Sequence, residues 1–240
     1  MTSILQFSGG KDSLACLYLM KEKWNDITVL WVNTGASYPE TLAQMEMIRR
    51  LVPNFHEVTT SQEQNISTHG FPSDIIPALS SIIGVTCSGN NNHPIQSWSD
   101  CCNENLWKPL MDESIRLGAT QIIRGTRLDD VMKSQVRNGD VIDGIEYVMP
   151  LQDWNDEDVK MYLDHIGVPL PDYYKWSDTS LDCWNCTAFL GERQKEISNM
   201  KHVHPEMWEE VRNRLSYINH MVYREQIPMF SILGIGNGNI

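Results

Sequence analysis

The sequence contains no apolar run long enough to cross a bilayer, and its first residues carry no basic leader followed by a long apolar region. We therefore expect a cytoplasmic protein with no membrane segment, in which residues 1–7 include a first strand. Positive charge is scarce: 19 lysines and arginines face 31 aspartates and glutamates, a formal net charge of −12. This balance argues against broad nonspecific binding to DNA or RNA, and it leaves room only for a local basic patch for one nucleic-acid substrate.

Cysteine is also sparse, with six residues in a chain of 240. Without a secretory signal we expect thiols rather than disulfides, and clustered thiols in such proteins bind metal or carry out redox chemistry. Four of them form the pairs Cys101-Cys102 and Cys183-x-x-Cys186. Four thiolates hold either an iron–sulfur cluster or a structural zinc ion.

Two further interpretations of the cysteines are possible, one for the paired thiols and one for the isolated thiols. A second possible zinc set combines Cys183 and Cys186 with His202 and His204. The two isolated thiols, Cys16 and Cys87, read as small buried hydrophobic residues.

Strand-like and helix-like patterns alternate along the chain. Residues 27–32 form a continuous apolar, β-branched run, and Pro39 opens a helical pattern. Asp143-Gly144 signals a hairpin, and Asn155 a helix N-cap. The order predicts an α/β fold, a doubly wound, mainly parallel sheet, with a small Cys-containing helical C-terminal region. We place the nucleotide-binding domain at residues 1–175 and the helical appendage, with its CxxC loop and loose tail, at residues 176–240.

The strongest functional signal is the string Ser8-Gly9-Gly10-Lys11-Asp12-Ser13, between the first strand and the first helix. Open α/β sheets bind ligands at this position. Two glycines allow backbone amides to approach a phosphate closely, and a helix N-terminus adds free N–H groups and partial positive charge. The string is not a Walker motif, which has four residues between its glycine and Gly-Lys. It matches the PP-loop of enzymes that act at the α-phosphate of adenine nucleotides.

Three more segments, in order, resemble the phosphoadenosine phosphosulfate (PAPS) reductase family of the PP-loop, adenine nucleotide alpha hydrolase-like superfamily. They are Asn33-Thr34-Gly35 with Pro39-Glu40-Thr41, Gly125-Thr126-Arg127-Leu128-Asp129, and Pro150-Leu151-Gln152-Asp153-Trp154. Asn33 stands where the family has aspartate, which puts in question any role there that requires a negative charge.

The resemblance implies the site. ATP or an adenylyl sulfate (PAPS or APS), with or without Mg²⁺, would be the substrate. Lys11, Asp12 and Arg127 would be catalytic. A tandem Cys-Cys and a later Cys-x-x-Cys hold a [4Fe-4S] cluster in part of the family, which implies Cys101, Cys102, Cys183 and Cys186 as ligands, with zinc as the alternative. The expected nucleotide contacts are Ser8, Gly9, Gly10, Lys11, Asp12, Ser13, Asn33, Thr34, Gly35, Gly125 and Arg127.

One family feature is missing from this sequence: sulfonucleotide reductases carry a nucleophilic cysteine in a C-terminal Glu-Cys-Gly, and here no cysteine follows Cys186. Three functions remain. The first is ATP-dependent sulfur transfer through cleavage at the α-phosphate, and the second is sulfonucleotide reduction with a thiol from a partner, Cys16 or Cys87. The third is a nucleotide-binding module with structural zinc. We also expect a thiol or sulfur-donor protein as partner, and a homo-oligomer.

Overall fold

The computed structural model describes residues 2–89, 94–127, 130 and 136–234. The chain forms two compact units, each made of two stretches of sequence. The first unit contains Met1–Ser61 and Glu104–Trp184, and the second contains Gln62–Asn103 and Asn185–Ile240. The sequence suggested one boundary after residue 175, whereas residues 62–103 group with the C-terminal stretch.

The first unit holds a six-stranded sheet in the order β3-β2-β1-β6-β8-β7, in which every pair except β7–β8 is parallel. The predicted mainly parallel α/β sheet is confirmed. Its strands are β1 (Ser3–Gln6), β2 (Ile27–Asn33), β3 (Phe55–Thr59), β6 (Gln121–Ile123), β7 (Val141–Ile142) and β8 (Ile145–Val148). Its helices are α1 (Lys11–Leu19), α2 (Pro39–Leu51), α6 (Lys108–Arg116), which follows a π-helical turn at Asn103–Trp107, and α7 (Asp156–His165).

The central strands are apolar because helices cover the sheet and leave little of these strands exposed. Ile4 and Leu5 of β1 and Val29 and Leu30 of β2 are fully buried. Leu5 and Val29 belong to a core cluster that also contains the apolar side of α1 and of α7. The core therefore fixes the start of α1 against the end of β1.

The strand order reverses direction at β1. From β1 the chain builds outward through β2 to β3, then returns to add β6 on the other side of β1. Such a switch point opens a crevice at the carboxyl ends of the strands, where open α/β sheets bind ligands. The loop between β1 and α1 lies at this point, as predicted from the sequence.

Two local predictions in the first unit are confirmed. Asp143 and Gly144 have φ values of 52° and 80° and close the antiparallel hairpin of β7 and β8. Asn155 caps α7, where its side chain accepts from the backbone of Asp158 and the Asp158 carboxylate accepts from the backbone of Asn155. The start of α7 is thus set by residues 155 and 158.

The second unit is mainly helical, with one two-stranded parallel sheet. A short 3₁₀ turn at Ala78–Ser80 precedes the helix that begins at Ile82. No helix in the described part of the chain is both long and apolar enough to span a membrane. The elements are α3 (Gln62–His69), β4 (Phe71–Ser73), α4 (Ile82–Ser88), β5 (Ile95–Ser97), α5 (Trp98–Cys102), α8 (Gln194–Val203) and α9 (Pro205–Leu233).

Candidate active site

The PP-loop is held in an open conformation by hydrogen bonds made by the hydroxyls of its own serines. The Ser13 hydroxyl donates to the Gly10 carbonyl at 2.9 Å and accepts from the Gly9 amide at 3.2 Å. The Ser8 hydroxyl lies 3.2 Å from that of Ser13 and accepts from the Gly10 amide at 3.4 Å. Gly10 is the N-cap of α1 and receives no side-chain cap. The first turn of α1 therefore retains donors for an anion.

Glycine is required at three places around this loop. Gly9 has φ of +90°, and a Cβ there would lie 2.9 Å from Cε of Met45. A Cβ on Gly10 would lie 2.9 Å from Cβ of Ser180. Gly125, after β6, comes closer still, because its Cβ would meet the backbone of Asp12 at 2.8 Å. The backbones of the segments after β1 and β6 are thus in direct contact, which explains why the segment Gly125–Asp129 begins with glycine.

Two cations and two carboxylates converge beside the loop. The Lys11 ammonium lies 2.8 Å from Oδ1 of Asp156 and 3.2 Å from Oδ1 of Asp12. The Arg127 guanidinium lies 3.0 Å from Asp12 through Nε and 3.4 Å from Asp156 through Nη1. Lys11, Asp12 and Arg127, which the resemblance implies as catalytic, thus lie beside one another together with Asp156, and their catalytic role stays a prediction.

Burial and charge shift the pKa values of these groups. Burial raises the pKa of the Asp12 carboxyl, against the lowering effect of Lys11 and Arg127. Burial also opposes charge on Lys11, but its hydrogen bond to Asp156 and the nearby Asp12 raise the pKa of the ammonium overall. Burial acts to raise the pKa of Asp156, but the hydrogen bonds to Lys11 and Lys160 outweigh this effect and lower the pKa to about 2. Lys11 and Asp156 are therefore both charged at neutral pH.

Two adjacent tyrosines contact the loop from the turn that follows α7 in the chain. The Tyr173 hydroxyl donates to the Gly9 carbonyl at 2.9 Å, and the Tyr174 hydroxyl accepts from the Lys11 amide at 3.0 Å. The Tyr174 ring centroid lies 5.9 Å from the Lys11 ammonium. Burial raises the pKa of both hydroxyls, so both stay protonated. The loop is consequently held by side chains more than 160 positions further along the sequence.

At the end of β2, Asn33 is engaged at both ends of its amide. Its Nδ2 donates to Oε1 of Glu57 at 2.9 Å, and its Oδ1 accepts from the Gly35 amide at 3.0 Å. Thr34 is buried, and its hydroxyl lies 3.2 Å from Sγ of Cys183. The negative charge that the sequence lacks at position 33 is carried next to it by Glu57.

Known proteins share this architecture and this loop. A sequence model of the phosphoadenosine phosphosulfate reductase domain matches residues 2–82, which include the PP-loop and the Asn33 segment. Residues 2–82 are therefore similar to the PAPS reductase domain.

Two individual matches extend beyond that region. A phosphoadenylyl-sulfate reductase of Candida auris, solved as a phosphate complex, has a similar fold, with a TM-score of 0.53, 18% identity, and coverage of 78% of this chain and 84% of that one. An uncharacterized protein of Methanocaldococcus jannaschii is 23% identical over 225 residues, or 88% of this chain. The chain spans only 41% of the length of that relative.

The cysteines that the PAPS reductase resemblance implies as ligands divide between the two units. Cys183 belongs to the first unit, where it forms an isolated antiparallel bridge with Ser37. Cys101, Cys102 and Cys186 belong to the second unit. There the Cys101 sulfur accepts from Gln62 at 3.7 Å and the Cys186 sulfur accepts from the Ala188 amide at 3.4 Å.

These surroundings suit thiolates in part. Burial lowers the pKa of Arg214. This shift is opposed by charges on Glu210, Cys186 and Cys101, and the Arg214 cation is therefore close to both thiols. Within the described ranges, however, no group of three or more His, Cys, Asp or Glu side chains is arranged to hold a metal ion. Both the [4Fe-4S] assignment and its zinc alternatives remain predictions.

The remaining sequence expectations have mixed outcomes. Cys16 is buried as expected, with its pKa raised by burial to about 12, whereas Cys87 is exposed, which corrects its reading as a buried residue. Leu128 and Asp129 of the segment Gly125–Asp129 lie outside the described residues, as do the last six residues of the tail.

Sequence reasoning missed three residues of the site: Asp156, Tyr173 and Tyr174. Their only signal was their position in the chain, since Asp156 follows β8 and the two tyrosines follow α7, beyond the carboxyl edge of the sheet.

Proposed function

We propose that this chain is a PP-loop enzyme that binds ATP or an adenylyl sulfate, with the phosphates at the PP-loop, and acts in sulfur transfer or sulfur metabolism. The observation that carries the proposal is the convergence of Lys11 and Arg127 at the N-terminus of α1, at the switch point of the sheet. A buried ammonium and a planar guanidinium beside a helix N-terminus are suited to an oxyanion.

The chemistry that fits this arrangement is attack at the α-phosphate. An acceptor oxygen would attack the α-phosphorus of ATP and expel pyrophosphate, and a sulfur nucleophile would then attack the activated acceptor carbon and expel AMP. Lys11, Arg127 and the loop amides would stabilise the charge that develops on the phosphate oxygens. Asp12, 3.2 Å from one cation and 3.0 Å from the other, would orient both.

The comparisons support an anion site on this fold. The Candida auris reductase, with which the fold is shared, is described as a phosphate complex. The family model covers the PP-loop of this chain. A nucleotide phosphate at the same loop is the simplest ligand consistent with both.

Sulfonucleotide reduction is the second candidate, favoured by the match of residues 2–82 to the PAPS reductase domain. It requires a thiolate nucleophile. The buried Cys16, with its pKa raised to about 12, is unsuited to that role. Under this alternative the thiol would come from a partner protein.

Product analysis separates the candidates. Incubation with ATP, a sulfide source and a candidate nucleic-acid acceptor should release pyrophosphate and AMP if the first is right, whereas sulfite release from PAPS or APS would favour the second. Binding without either product would favour a nucleotide-binding module.

Calorimetry tests the site itself. Lys11→Ala should weaken ATP or adenylyl-sulfate binding by about 1.5–3 kcal/mol, the size of a charge-assisted contact. Lys23→Ala, at an exposed lysine in the turn after α1, is the matched control. Equal affinity in both variants would remove the PP-loop from the site.

A further inference from the structure

Lys11, which the proposed function assigns to the nucleotide phosphates, already has acceptors from the chain itself. Its backbone amide donates to the Tyr174 hydroxyl at 3.0 Å, and its ammonium lies 2.8 Å from Asp156. The Lys11 side chain is only 7% exposed, while that of Asp156 is 42% exposed. Asp156 is therefore the solvent-facing partner of a buried cation.

Asp156 also reaches the second cation of the site. Its Oδ1 lies 3.4 Å from Nη1 of Arg127, so one carboxylate oxygen contacts both Lys11 and Arg127. An oxygen shared by an ammonium and a guanidinium is the arrangement that a bound phosphate oxygen adopts. In this structure a carboxylate of the chain makes these contacts.

We infer that Asp156 is an internal anion that competes with the ligand phosphate for Lys11 and Arg127 and so sets the affinity and charge selectivity of the site. The inference rests on the proposed function. A ligand must exchange its own negative charge for that of Asp156, which favours highly charged phosphate groups over weakly charged ones.

The surroundings allow Asp156 to be displaced at little cost. Lys160, one helical turn later, lies 2.5 Å from its other oxygen and can keep the carboxylate paired. Asp12 stays beside both cations. The cap of α7 uses Asn155 and Asp158, so movement of the Asp156 side chain leaves the helix start intact.

The test compares two neutralising substitutions in one helical turn. Asp156→Asn removes the competing charge, and Glu157→Gln removes the same charge at the next residue, whose backbone amide donates to Asn155. Inorganic phosphate, pyrophosphate and ATP are titrated calorimetrically, each with and without Mg²⁺. Asp156→Ser, which suits a helix N-terminus, replaces the asparagine variant if that one does not fold.

We expect Asp156→Asn to bind phosphate and ATP about tenfold more tightly than the wild type, and Glu157→Gln to stay within about twofold. Unchanged or weaker binding in Asp156→Asn, with normal wild-type binding, overturns the inference alone. Loss of only the Mg²⁺-dependent ATP binding would also overturn it, because Asp156 would then be a metal ligand. Absence of binding in all three proteins would refute the proposed function together with the inference.

Discussion

Asn33→Asp, which installs the residue usual in the PAPS reductase family, should destabilise this protein. Asn33 donates to Glu57 through Nδ2 and accepts from Gly35 through Oδ1. Aspartate keeps the oxygen that accepts from Gly35. It replaces the donating Nδ2 with a second carboxylate oxygen, which would face Oε1 of Glu57 where Nδ2 now lies 2.9 Å away. The usual residue is therefore unfavourable here because of its neighbour on β3.

The size of the effect follows from charge and distance. Two unit charges about 4 Å apart repel by about 4 kcal/mol at an effective dielectric constant of about 20. Arg49 pairs with Glu57, and the Glu57 side chain is 24% exposed, so both the cation and solvent reduce this repulsion. Including the lost hydrogen bond, we expect about 1–3 kcal/mol at neutral pH.

Urea unfolding at pH 7 would measure the free energy of unfolding of the wild type, Asn33→Asp, Glu57→Gln and the double variant. The double variant should recover most of the loss, because a glutamine at position 57 can donate to the new carboxylate. Asn33→Asp with wild-type stability, or a double variant that recovers nothing, would refute the reasoning.

Three further predictions concern the loop, the charges and the cysteines. Gly125→Ala should cost about 1–3 kcal/mol of stability and weaken nucleotide binding, because its Cβ would meet the Asp12 backbone at 2.8 Å, whereas Gly191→Ala, with open space around it, should be near neutral in urea unfolding. Asp156 has a folded pKa of about 2 against an ordinary value of 3.8, so its stabilising effect is present above about pH 4 and is lost as the pH falls toward 2; acid titration of stability should show a smaller loss over this interval for Asp156→Asn than for the wild type. Anaerobic reconstitution should give about four iron and four sulfide per chain, with absorbance near ~400 nm that is lost in Cys101→Ser and kept in Cys87→Ser, whereas one tight zinc under the same iron-replete conditions would indicate a structural site.

Much of the fold was determined by local sequence. Pro39 opens α2, Asn155 caps α7, and Asp143-Gly144 closes a hairpin, each as predicted. These features depend on φ restrictions and on hydrogen bonds within a few residues, which a single sequence displays directly. The PP-loop string likewise predicted a loop between the first strand and the first helix, and this loop lies at the switch point of the sheet.

The tertiary structure alone decided which side chains surround that loop. Asp156 and Tyr174 contact Lys11 because the carboxyl ends of β1 and β8 open toward the same edge of the sheet, with β6 between them. Glu57 faces Asn33 because the two lie on neighbouring strands, and from this contact we expect an aspartate at position 33 to be unfavourable. Such contacts join residues 24 to 163 positions apart, and no local pattern encodes them, since they arise only when the sheet sets its strand order.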